Sequence, residues 1–363
     1  MASVNVPTEA AVAPPEPPLA RSRLWKGLFG TPLNAVITIA LGLIVAALAP
    51  GLIRWAVIDA AFLPAQPSSC REVQGACWSF VIAKHSQILF GIYPNEERWR
   101  PALVCVVLLS LLAYSIRPSS WRPHLAWLWA GTMAGVLALM RGGVPGVPYV
   151  STSMWGGLPV TLILTVIAIG LGFFFAIFLA LARRSHLPVV RIASIVFIEG
   201  TRALPLLSIL FIASIMLPLL VPEALLPDKF FRALIALLLF SSAYIAEVIR
   251  GGLQGIPRGQ VEAAQALGLS YWQTQRMIVL PQAIAMVIPS LTNTIIIMIK
   301  NTSLVLVVGL FDLISSGKAA LADPAWNSPA VETYIFISAI YFALCFSFAR
   351  FADRLERRNK VGV

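Results

Sequence analysis

A chain of 363 residues that is 58% hydrophobic and only 12% charged, with a mean hydropathy of +0.83, has too little polar surface to cover two soluble globules. Soluble domains run near about a quarter charged residues, so most apolar side chains here must face lipid, and the expected fold class is an all-α polytopic membrane protein. The net charge of +11 does not point to nucleic acid, because the 27 Lys and Arg lie in short groups between apolar runs instead of forming one basic face.

In chain order, residues 1–30 read as a disordered cytoplasmic tail, with Pro7, Pro14, Pro15, Pro17 and Pro18 among Ala, Val and Glu. The first apolar run, about 33–52, has no convincing small-x-small cleavage site and reads as a retained span. Arg21, Arg23 and Lys26 before it keep the N-terminus inside. Further apolar runs follow at about 101–116, 124–140, 158–182, 194–217, 231–249, 284–310 and 333–351. That makes about eight spans, near the ~20 residues a helix needs to cross ~30 Å of hydrocarbon. Leu, Ala, Ile and Val run without the period-2 alternation of a barrel strand, so helices are expected. Threading these spans places sixteen basic residues inside, nine outside, and Arg202 and Lys300 at or within spans. The bias is positive-inside, with both termini cytoplasmic in a bacterial inner membrane.

The outer segment 54–100 holds Cys70 and Cys77, and two readings stay open for them: a disulfide formed in an oxidising compartment, or two unrelated thiols. Cys105 and Cys345 fall within apolar runs and read as packing residues. His85, His124 and His186 lie in separate segments, and no Cys/His set has metal spacing, so no metal site is expected. The Gly- and Pro-rich stretch RGGVPGVPYVSTSMWGGLP, 141–159, marks a boundary near 145. It separates a three-span extension, 31–145, from a five-span core, 146–355, with a tail at 356–363.

Between the sixth and seventh spans, 250–283 reads RGGLQGIPRGQVEAAQALGLSYWQTQRMIVLPQA. Gly251, Gly252, Gly255 and Pro257 break the chain; 260–267 is strong helix former; Gly268 stops it; Ser270 is an N-cap for a second short helix. A soluble helix-turn-helix between spans reads as a docking element.

The residues Glu262, Ala263, Ala264, Gly268, Ile278, Leu280 and Pro281 meet every fixed position of EAA-x3-G-x9-I-x-LP. The segment therefore resembles the EAA loop of bacterial ABC-importer permeases, whose short helix docks in a groove of the ATP-hydrolysing subunit. Two further strings, Ala243 to Gly252 and Ile256 to Gln260, are similar to the AY-x-AE-x-x-RGG…IP-K/R-GQ pattern of polar amino acid permeases. Glu199 to Leu207 looks like their E-x-x-RG-x-PLL segment, with Ala203 where Gly is usual, and Lys300 to Leu304 like their KDTSL, with Asn301 for Asp. With the long outer segment containing GACW at 75–78, the whole chain resembles a permease subunit of a general L-amino acid ABC importer. The resemblance implies a homologous permease subunit, an ABC ATPase dimer and a periplasmic amino-acid-binding protein as partners. ATP and Mg would sit on the ATPase, and no cofactor on this chain.

An intramembrane charge costs at least ~2.5–3.5 kcal/mol, so Arg202, Glu247 and Lys300 should face protein, partner or water. With Asn301, Thr302 and Ser303, whose donors and acceptors suit a zwitterion, they form the candidate substrate path. For Lys300, snorkelling or an ion pair with Glu247 or Glu199 stands beside that role; for Arg202 with Glu199, a structural pair or gate; for the hydroxyls, helix–helix hydrogen bonding. Asn301 in place of Asp removes an anion that would favour cationic side chains. The chain has no GxxxxGK[ST] phosphate cradle and no nucleophile with an assignable His, so no catalytic residue is expected. Competing readings are an importer restricted to acidic amino acids and their amides, and an ATP-independent channel or secondary transporter. The latter predicts inverted repeats, and no internal repeat is visible.

Overall fold

The computed structural model describes residues 25–71, 73–117, 120 and 122–361; most of the N-terminal tail and the side chains from Arg358 onward lie outside the described residues. The described elements are helices, and an isolated antiparallel bridge joins Val144 to Val147. They form two compact units, one within 25–61 and 73–76 and the other within 62–71 and 77–361.

In the first unit, α1 is Pro32–Ile53. Thr31 caps it, its hydroxyl accepting from the Asn34 N–H at 3.2 Å, and Pro32 sits where a missing N–H costs nothing. The helix continues through a π turn, Arg54–Ile58, and ends where Arg54 pairs with Asp59 at 2.8 Å. It carries no buried residue, the pattern of a helix whose natural solvent is lipid.

The second unit opens with α2 (Trp78–Phe90), α3 (Trp99–Ser115) and α4 (His124–Arg141). Cys70 and Cys77 are bonded, their Cα atoms 5.5 Å apart. The Cys77 N–H donates to buried Glu332 at 2.7 Å, and Lys84 pairs with Asp323 at 2.6 Å. Arg100, wholly buried, donates to the carbonyls of Leu139, Met140 and Pro148 at 2.8, 3.2 and 2.9 Å and to Glu97 at 3.4 Å. Two of those carbonyls belong to the last turn of α4, where a cation meets the negative end of the helix dipole.

The centre is the pair α5 (Gly157–Ala182) and α8 (Lys229–Gln254). On α5 the buried residues Ala168, Gly172, Ala176 and Ala180 recur every fourth position, a small-residue stripe. Ser241, Ser242, Ala243 and Ala246 answer it on α8, and the Ser241 hydroxyl donates to the Ala168 carbonyl at 2.7 Å. Without a hydrophobic driving force inside lipid, such close backbone approach supplies the packing that holds two helices together.

Between them lie α6 (Pro188–Ala203) and α7 (Leu206–Leu220). The sequence predicts one span over 194–217; the structure corrects this to two helices bent by 104°. The cause is Pro205, whose ring forces Leu204 into an extended conformation (φ −95, ψ 138) that no helix continues. The predicted run 284–310 is likewise divided, into α11 (Leu280–Met286) and α12 (Ile288–Asn301), followed by a 3-10 segment Thr302–Val308. Pro289 in the first turn of α12 offers no N–H to the Ala285 carbonyl. The chain closes with α13 (Leu313–Leu321) and α14 (Ala330–Val361). Buried Asp312 caps α13, accepting from the Ser315 N–H at 2.9 Å and from the Tyr341 hydroxyl of α14 at 3.4 Å. Six described helices are long and apolar enough to cross a membrane, or seven if α6 and α7 make one span. The remaining predicted run, 124–140, is α4, an 18-residue helix ended by His124 and Arg141.

Candidate functional site

After α8 the chain forms a hairpin of α9 (Arg258–Ala266) and α10 (Tyr271–Thr274) and returns through a π turn, Gln275–Val279, into α11 (Leu280–Met286). Each joint has a local cause. Pro257 stands at the N-cap of α9. At its other end the Leu269 N–H reaches the Ala264 carbonyl (3.1 Å) and the Gly268 N–H the Gln265 carbonyl (2.9 Å), the double bond of a Schellman turn. That turn needs a left-handed residue, and Gly268 has φ +75. Ser270 and Gln273 then exchange the two hydrogen bonds of a capping box, 3.4 and 2.8 Å. The π turn precedes Pro281, which cannot donate to the residue four back; the Leu280 N–H bonds Gln275 instead. Pro218 follows the π turn Ile212–Met216 of α7 in the same way.

The hairpin has two faces. Ala264, Val279 and Ala283 are buried, and Val261 packs on a core shared with Ile249 and Leu253 of α8, Ala180 and Leu181 of α5, and Ile198 of α6. Gly252 makes this junction close, since a Cβ there would overlap the Ala283 carbonyl. The outer face shows Glu262, Ala263 and Gly268 together with Leu267 (78% exposed), Tyr271, Trp272 and Met277. Ile278 and Leu280 are half-buried and Pro281 is exposed. Sequence reasoning missed the exposed Leu267 and the Tyr271–Trp272 pair, whose rings meet edge-on at 5.3 Å. Their signal was present: large apolar residues flanking a Gly turn in a polar loop.

At the root of the hairpin an ion cluster joins three helices. Arg183, just after α5, pairs with Glu199 of α6 at 2.8 Å and with Glu247 of α8 at 3.3 Å. Arg202 lies 3.6 Å from Glu199 and 3.9 Å from Glu247, with its guanidinium 5.7 Å from the Tyr244 ring centroid. Arg250 grips Glu247 one helical turn away. Three guanidinium groups thus share two carboxylates. Alongside, Arg184 donates to the Leu253 carbonyl at 2.9 Å, tying the end of α5 to the last turn of α8.

Of the predicted path residues, Arg202 and Glu247 meet in this cluster and Lys300 does not; it is exposed, with no ion pair among the described residues. The Thr302 and Ser303 hydroxyls donate to the Ile299 and Lys300 carbonyls of their own helix, both at 2.7 Å. Asn301 is half-buried at the end of α12. Arg183, counted in the sequence only as a topology residue, is one of three arginines that Glu247 meets.

The family model for binding-protein-dependent transport system inner membrane components matches residues 168–361, which contain both hairpin and cluster. The chain is 42% identical to the inner membrane amino-acid ABC transporter permease protein YhdY of Escherichia coli (strain K12), over 94% of each chain. It is 34% identical to the glutamate/glutamine/aspartate/asparagine transport system permease protein BztC of Rhodobacter capsulatus, over 92% of each. A solved structure described as an amino acid ABC transporter with histidines is 33% identical over 56% of this chain and 92% of that one, with a TM-score of 0.49. The family match over more than half of the chain, with two relatives aligned over more than nine-tenths of their length, makes this protein a membrane-spanning permease of the family of binding-protein-dependent transport system inner membrane components.

Proposed function

We propose that this permease takes up L-amino acids of broad specificity from the periplasm, powered by ATP and Mg bound on a separate ABC ATPase dimer. A homologous permease would complete the pathway, and a periplasmic amino-acid-binding protein would deliver the substrate. The observation that carries the coupling is the two-faced hairpin. Its exposed side (Glu262, Ala263, Leu267, Tyr271, Trp272) is free to be gripped, while its buried side continues without a gap into the cores of α5, α6 and α8. A close-packed core transmits displacement instead of absorbing it. Ala264, Ile278 and Leu280 then serve as the inward anchors of the lever, and Gly268 and Pro281 set its bends.

In this reading 146–355 is the transporting core and 31–145 an addition to it, in keeping with a family match that lies within 168–361. Both termini and the hairpin face the cytoplasm, following the positive-inside bias. Arg202 and Glu247 act with Arg183 as an inner gate that must part for passage, and Asn301, Thr302 and Ser303 line the path only once their local hydrogen bonds are released. The likeness to BztC favours a second reading, an importer of acidic amino acids and their amides.

The test is uptake by the complete system in a strain that depends on it. Glu262→Ala combined with Gly268→Asp should abolish ATP-driven uptake while the permease still inserts. Trp272→Ser should reduce the ATPase recovered with it. Unchanged uptake and ATPase copurification in these variants would refute the coupling assignment. Competition by each common L-amino acid separates the readings: inhibition across neutral, acidic and basic classes supports broad specificity, and inhibition by Glu, Asp, Gln and Asn alone supports the second.

A further inference from the structure

Helix α14 is 32 residues long, about 48 Å at 1.5 Å per residue, so its last turns project beyond ~30 Å of hydrocarbon. Along one face, at every fourth position, stand Phe342, Phe346, Arg350 and Arg354, with both rings and Arg350 exposed. The two rings stack with centroids 5.4 Å apart, and the Arg350 guanidinium lies 5.8 Å from the Phe346 centroid. The face thus changes from aromatic to cationic within two turns. At the change there is a cavity of about 270 Å³ lined by Ile116, Phe346, Ser347, Arg350, Phe351 and Arg354. A smaller one, about 140 Å³, adjoins it between Arg350, Asp353, Arg354 and Arg357. Asp353 is engaged by Arg357 at 3.1 Å, and among the described residues neither Arg350 nor Arg354 has a carboxylate partner.

We propose that this groove binds an anionic phospholipid of the phosphatidylglycerol type, its phosphate on Arg350 and Arg354 and an acyl chain along Phe346 and Phe342. Guanidinium forks match phosphate oxygens, and an unpaired cation at the end of a membrane helix attracts anionic lipid. Free phosphate offers the same oxyanion, but it leaves the apolar floor of Ile116, Phe346 and Phe351 in water. A lipid covers both halves of the groove.

Native mass spectrometry of the complete transporter, taken from bilayers of graded phosphatidylglycerol content in phosphatidylethanolamine, reads this directly. Retained phosphatidylglycerol should saturate, and inorganic phosphate should not displace it. Arg350→Gln with Arg354→Gln should weaken retention by about fivefold for each cation removed, the scale of one basic residue at an anionic surface. Arg350→Lys with Arg354→Lys keeps the charge and should retain most of it, and serves if the glutamine variant fails to assemble. Non-saturating retention, equal retention by the glutamine variant, or displacement by inorganic phosphate overturns the proposal. So does absence of lipid from an intact complex in which position 350 cross-links to a partner subunit.

Discussion

Gly268 is the hairpin residue whose backbone leaves no alternative. Nothing lies within 4 Å of the place a Cβ would occupy, so the constraint is its φ of +75 and not crowding. A left-handed L-residue costs about 1–2 kcal/mol, and Gly268→Ala should lower the thermal stability of the loop by that amount in detergent. Gly259→Ala offers the contrast: within α9 and in open space, it should be neutral to stabilising by up to about 1 kcal/mol. Equal effects at the two positions would contradict the Schellman assignment. Asp312 has a different constraint. Burial pushes its carboxyl up from the ordinary value, against the opposing pull of its bonds to Ser315. The folded protein therefore binds this proton more tightly than the unfolded chain does. Its contribution to stability is full below about pH 4 and falls as pH rises through the raised folded value. Asp312→Asn should flatten that fall in a pH series of thermal unfolding; an unchanged slope would mean that other groups cause it.

At the scale of elements, the proposed lever depends on the close contact of α8 and α11 at Gly252. Gly252→Val should force the two helices apart, costing about 1–3 kcal/mol for overpacking and reducing transport more than stability, measured as uptake against melting temperature. The element boundaries show how much was readable in advance. The helix, the Gly stop, the Ser270 cap and the proline-marked return were all legible, because capping and turn signals act within a few residues. The inward and outward faces were not. Whether Leu280 or Pro281 meets solvent depends on the register set by a π turn, and an extra residue per turn rotates everything after it. The bend between α6 and α7 was announced by Leu204-Pro205, yet the apolar run continues through it, and hydropathy has no knowledge of direction.

Across the whole molecule, the ion cluster pairs Arg183 with Glu247, 64 positions apart. Arg183 and Glu247 are each about one-fifth exposed, so their coupling is discounted for solvent screening. A double-mutant cycle of Arg183→Gln with Glu247→Gln should give about 0.5–1 kcal/mol at low salt, shrinking at 1 M where charges are screened beyond about 3 Å. A coupling that does not respond to salt would indicate packing instead of charge. The composition by itself determined that the chain lies in a membrane, because its few polar residues cannot cover soluble globules. A local pattern determined the hairpin of α9 and α10, because turns and caps are decided by neighbours in sequence. Only the tertiary structure decided that Glu247 meets Arg183 and Arg202 while Lys300 stands apart, and that one apolar run is two helices at 104°. Pairing between charges falls off over a few ångströms, and those distances exist only once α5, α6 and α8 are packed.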